Sequence, residues 1–135
     1  MKTKKAILLV EDDRVDAMTV ERALKDVHVT NRLDLAQDGE KALEYLKTHE
    51  APCVILLDLN MPRMNGIEFL QIVKSDSVLK KIPVIVLTTS ESDQDRLGSF
   101  ELSVAGYMIK PVDYKNFLAV IRTIDLYWTL SELPE

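Results

Sequence analysis

Val54-Ile55-Leu56-Leu57-Asp58-Leu59-Asn60-Met61-Pro62-Arg63-Met64-Asn65-Gly66 is the stretch on which the reading of the chain turns. It opens on an aliphatic run with no polar interruption, the pattern of a strand buried on both faces. The run ends on a carboxylate, Asp58, and a polar turn then closes at Asn65-Gly66. From there apolar residues recur three and four apart over Gly66–Lys74, the spacing of a helix that packs by one face.

The same order recurs on either side. Strand candidates are Ala6–Val10, Arg32–Ala36, Val54–Asp58, Val84–Leu87 and Gly106–Ile109; the first, third and fourth are almost wholly apolar. Helical spacing covers Val15–Lys25, Glu40–Lys47, Gly66–Lys74, Gln94–Leu102 and Tyr114–Leu130. Asp38-Gly39 marks the turn before the second helix, and Ile82-Pro83 leads into the fourth strand. Strand and helix alternating five times predict an α/β fold, a doubly wound five-stranded parallel sheet. The flavodoxin-like strand order 2-1-3-4-5 is expected, although the pattern alone does not set the order. A chain of 135 residues fits one domain, here 1–135, whose last helix extends into a tail at about 125–135.

Composition removes several function classes. A net charge of -5 argues against general binding to nucleic acid or to an anionic membrane, since both attract excess Lys and Arg. The longest apolar runs, such as Ala6–Val10 and Val54–Leu57, fall well short of the roughly 20 residues that span a bilayer. The basic start, Met1–Lys5, resembles a signal peptide's first region, but the apolar run after it stops at Glu11, so a cytoplasmic protein is expected. Cys53 is the single cysteine, which excludes an intramolecular disulfide and suits a buried strand position. His28 and His49 are isolated beside loops and read as solvated. The chain has no Gly-rich phosphate loop, no dinucleotide fingerprint and no Cys/His zinc pattern.

In an open parallel sheet, ligands bind beyond the carboxyl ends of the strands. The first strand runs into Glu11-Asp12-Asp13, the third ends at Asp58, and the fifth ends at Lys110-Pro111. Clustered carboxylates repel one another and are relieved by a hard divalent cation, which predicts Mg²⁺. The acidic loop taken alone equally suits a helix N-terminus, with Asp13 as its cap. Asp58 has the chemistry to act as a nucleophile toward phosphorus and form an acyl phosphate. Lys110 and the Thr88 hydroxyl would then stabilise the charge on the transferring phosphoryl group. Singly, Thr88 also reads as a β-branched strand end, and Lys110 as a solvated surface lysine.

Together these segments resemble the response-regulator receiver family along nearly the whole chain. Val10-Glu11-Asp12-Asp13 is similar to the family's acidic pair, Asp58 to Gly66 to its phosphoacceptor signature, Thr88 to its switch hydroxyl, and Gly106-Tyr107-Met108-Ile109-Lys110-Pro111 to its lysine segment. The resemblance implies that Asp58 accepts the phosphoryl group from a histidine kinase. It implies that Asp12 binds Mg²⁺ directly, with Asp58 also a ligand, Glu11 through water and Asn60 through its backbone carbonyl, Mn²⁺ being able to substitute. Lys110 would contact the phosphoryl oxygens, Lys110-Pro111 would be a cis peptide, and Thr88 and Tyr107 would carry the switch to the face of the fourth helix, fifth strand and fifth helix. Asn60 and Ser90 stand where the family tunes acyl-phosphate lifetime. Glu11, where Asp is commoner, is a mild departure.

Such a protein is a signalling receiver that catalyses its own phosphoryl transfer and dephosphorylation, and is not an enzyme acting on a separate substrate. A dehalogenase-like phosphohydrolase would share the aspartyl chemistry but usually has a second acid two residues on, where this chain has Asn60. A binding module of the same fold that had lost phosphorylation would not be expected to keep Glu11, Asp12, Asp58, Thr88 and Lys110 together. Thr88-Thr89-Ser90, the loop Ser75–Ile82 and Asp125-Leu126-Tyr127-Trp128 are similar to single-domain regulators paired with bacterial and cyanobacterial phytochrome kinases. No output domain is expected after the fifth helix. The apolar end Leu126-Tyr127-Trp128-Thr129-Leu130 suggests a homodimer contact, the alternative being a tail that folds back and completes the core of its own domain.

Overall fold

The computed structural model describes residues 5–61, 64–89, 93–111 and 113–130, with the backbone alone at 93, 94, 97 and 127–130. Five strands, β1 (Ile7–Val10), β2 (Leu33–Ala36), β3 (Val54–Leu57), β4 (Val84–Thr88) and β5 (Gly106–Ile109), alternate with five helices. The helices are α1 (Arg14–Asp26), α2 (Gly39–Thr48), α3 (Gly66–Ser75), α4 (Asp93–Glu101) and α5 (Tyr114–Leu130). A single 3₁₀ turn at Leu79–Lys81 precedes β4. All strand pairs are parallel and the order is β2-β1-β3-β4-β5, the flavodoxin-like arrangement expected.

The apolar strands are explained by what covers them. On one face Ile7, Leu9, Val54, Leu56, Ile85 and Leu87 pack against Ala17, Val20 and Leu24 of α1 and Phe117, Ile121 and Ile124 of α5. On the other, Leu8, Val10, Ile55, Leu57, Val84 and Val86 meet Ala42 and Leu46 of α2 and Phe69, Leu70 and Val73 of α3. Side chains alternate across a strand, so each central strand feeds both layers, and its positions are apolar except for Thr88 at the end of β4. Cys53 is buried in the first of these layers.

The helix starts come from side-chain caps. Asp13 accepts the Asp16 N–H at 3.0 Å, Asp38 accepts the Lys41 N–H at 2.8 Å, and Asn65 and Glu68 form a reciprocal capping box. Asp13 therefore does cap α1. No helix of the described residues is long and apolar enough to cross a membrane. The side chains of Tyr127 and Trp128, and residues 131–135 of the tail, lie outside the described residues, as do Pro62, Arg63 and Ser90.

Candidate functional site

Glu11, Asp58 and Lys110 stand one step beyond their strands, Thr88 ends β4, and ladder hydrogen bonds hold the first three backbones in place. Asp58 N–H donates to Val10 O at 3.0 Å, Glu11 N–H to Ala36 O at 3.0 Å, and Lys110 N–H to Thr88 O at 2.8 Å. Behind Asp58, α3 begins in close contact: a Cβ on Gly66 would lie 2.6 Å from Leu59 Cα and 2.7 Å from Asp58 O. Backbone atoms cannot give way as a side-chain tip can, so glycine is what lets α3 start against the Asp58 peptide.

Asp58 is buried and well bonded. Its Oδ1 accepts the Thr88 hydroxyl at 2.8 Å and the Asn60 N–H at 3.2 Å, and Lys110 Nζ lies 3.7 Å from its Oδ2. Lys110 donates to Glu11 Oε1 in a buried ion pair and stands 3.5 Å from Asp16 Oδ2. Glu11 Oε2 accepts the Asp13 N–H at 3.2 Å. Burial pushes the Glu11 carboxyl up to about 7, an effect that Lys110 opposes and Asp58 reinforces. For Lys110, burial works against the ammonium, but the Glu11 hydrogen bond and the charges of Asp58, Glu11 and Asp16 outweigh it and hold the pKa above its ordinary value.

Glu11, Asp12 and Asp58 each offer a carboxylate oxygen, and these atoms lie within 4.8 Å of one another. Octahedral Mg²⁺ with oxygens at about 2.1 Å spaces opposite ligands about 4.2 Å apart, so the gathered set is one small closing movement, or one water, from such a shell. The donors are all hard oxygens, which suits Mg²⁺ or Mn²⁺ and not a thiophilic metal. Asn60 stands beside this set through its N–H to Asp58, and its Nδ2 lies 3.5 Å from Thr89 Oγ1.

The strand ends thus bring together Glu11, Asp12, Asp58, Asn60, Thr88 and Lys110. Tyr107 lies on β5, its ring 6.4 Å from that of Phe100 on α4 and tilted 35° to it. One expectation needs correction: no cis peptide bond occurs among the described residues, so Lys110-Pro111 is trans. Trans is the lower isomer of an X–Pro bond by about 0.5–1 kcal/mol, and with it Lys110 already reaches Glu11. Asp16 was missed. Its signal was weak, a carboxylate in the first turn of a helix, where the dipole favours acids in any case.

A model described as the response regulator receiver domain matches residues 7–122. The chain belongs to the response-regulator receiver family. Among relatives of this receiver, the probable methanogenesis regulatory protein FilR2 of Methanothrix harundinacea is 39% identical, over 90% of this chain and 82% of its own. Response regulator Rcp1 of Synechocystis is 37% identical, over 92% of this chain and 88% of its own. A crystal structure of Rcp1 in its Mn²⁺-bound form has a TM-score of 0.89 at 36% identity, covering 97% of this receiver and 99% of that chain. The phosphorylated cyanobacterial phytochrome response regulator RcpA gives 0.90 at 35% identity, with 97% and 99% covered.

Proposed function

We propose that Asp58 is the phosphoacceptor of this response regulator and that Mg²⁺ is its cofactor, with Mn²⁺ able to replace it. The observation that carries the reading is the set of groups on and around Asp58: Thr88 Oγ1 and Asn60 N–H on Oδ1, Lys110 near Oδ2, and the gathered oxygens of Glu11 and Asp12. Glu11, Asp12, Asp58 and the Asn60 carbonyl would hold the cation. When bound, it would neutralise charge on the phosphoryl oxygens.

An Asp58 carboxylate oxygen attacks the phosphorus of a kinase phosphohistidine. The P–O bond forms as the P–N bond breaks, and the departing imidazole keeps the electron pair and is protonated. Thr88 and Lys110 move from Asp58 to the new phosphoryl oxygens. Tyr107, packed beside α4, passes the change to the surface. Dephosphorylation is hydrolysis of the same acyl phosphate, so the protein catalyses both steps on itself.

The partner we infer is a phytochrome-type histidine kinase in the cytoplasm. Its support is the likeness to Rcp1 and to the phytochrome response regulator RcpA over almost the whole of each chain. Val15 and Met18, both well exposed on α1 beside the site, supply an apolar surface for that contact. We take the chain as one receiver domain that signals through protein contacts. Its α5 end, where Leu126 is 55% exposed, is the surface assigned to a homodimer.

Acetyl phosphate with Mg²⁺ should add one phosphoryl group by intact mass, and EDTA or Asp58→Asn should abolish it. Equal phosphate on Asp58→Asn would overturn the assignment. A phosphotransfer screen against histidine kinases should favour a phytochrome kinase, and sedimentation of wild type against Leu126→Ser should show a dimer lost in the variant.

A further inference from the structure

Three carboxylates face the Lys110 ammonium, and they differ in what else they must do. Glu11 and Asp58 belong to the gathered oxygens that would receive a divalent cation. Asp16, at 3.5 Å from Nζ, does not. Among the described residues these three are the ion-pair partners of Lys110.

A cation entering between Glu11 and Asp58 must share them with an ammonium already hydrogen-bonded to Glu11. Like charges at such range repel, the more so in a poorly hydrated pocket. The Lys110 side chain is 9% exposed, so water cannot replace a lost counter-ion. Asp16 is 45% exposed, and the Asp13 cap on its N–H anchors its place in the first turn of α1. It borders a cleft of about 450 Å³ that also reaches Lys110, Pro111 and Tyr114, which gives the lysine head room to swing toward it.

We propose that Asp16 is a positioning residue that keeps Lys110 paired when a divalent cation takes Glu11 and Asp58. Asp16 touches neither the metal nor the phosphoryl group. It acts through Lys110, by giving the displaced ammonium a carboxylate that the cation does not use, and so makes metal binding an exchange of partners. This inference rests on the metal site proposed above.

The test is a double-mutant cycle read by calorimetric Mg²⁺ titration of the unphosphorylated chain. Asp16→Asn should weaken Mg²⁺ about fivefold in the wild-type background and by less than about twofold in Lys110→Met, where no ammonium needs a new partner. Asp16→Glu should restore most of the affinity. Equal weakening in both backgrounds, or no weakening in the wild-type background, would overturn the role of Asp16 while leaving the metal site intact. A wild type that bound no Mg²⁺ would overturn the metal site and this inference with it.

Discussion

The Thr88 hydroxyl donates to Asp58 Oδ1 at 2.8 Å with both side chains buried. The bond helps make burial of both side chains tolerable, because a carboxylate removed from water needs donors. Thr88→Val keeps the shape and removes the donor, so it should destabilise the fold by about 1–3 kcal/mol in urea unfolding. Thr88→Ser should retain most of the stability. A Thr88→Val protein as stable as wild type would show that the bond contributes little.

Asp12 is exposed within a cluster of three carboxylates. Asp12→Ala should lower Mg²⁺ affinity at least about tenfold, since it removes an oxygen that the proposed metal site would use. Without metal it should leave the melting temperature unchanged or raised, because one like charge is gone. Calorimetric titration and thermal melts in EDTA separate the two effects.

The two glycines best suited to comparison differ in their surroundings. Gly66→Ala must displace the Asp58 and Leu59 backbone, so both stability and acetyl-phosphate reactivity should fall. Gly98, within α4, has nothing within 4 Å of a Cβ. Gly98→Ala should therefore stabilise the protein by about 0.5–1 kcal/mol, the difference in helix propensity. Denaturant midpoints for the pair should move in opposite directions.

Cys53 is buried, and burial pushes its thiol up to about 11. A raised pKa favours the neutral thiol in the folded state. The associated stability is complete below the unfolded thiol's pKa near 9 and is lost as pH rises through about 11. At pH 8 the native chain should react with a maleimide far more slowly than the urea-unfolded chain. Fast native labelling would contradict this.

Much of this molecule was legible because its signals are local. The aliphatic runs of β1, β3 and β4 are what strands covered on both faces require, and Glu11, Asp58 and Lys110 stand where a parallel sheet gathers its strand ends. What escaped depends on distance or on near-balanced energies. The Asp16–Lys110 pair joins residues from opposite ends of the chain, and nothing near Asp16 announces it. The 3₁₀ turn at Leu79–Lys81 is too short to show a period. The isomer of Lys110-Pro111 is set by a small energy difference that residue types do not reveal.

The alternation of β3 between its two layers means that the sheet reads its residues by parity. Deleting one residue between Val54 and Leu57 would move the β3 residues after the deletion to the opposite layer and turn Asp58 toward the other face of the sheet. Deleting two would keep every remaining side chain on its own side and only shorten the strand. Length changes in this protein therefore belong in its connections, and Asp58 owes its aim as much to even and odd counting along β3 as to the residues it touches.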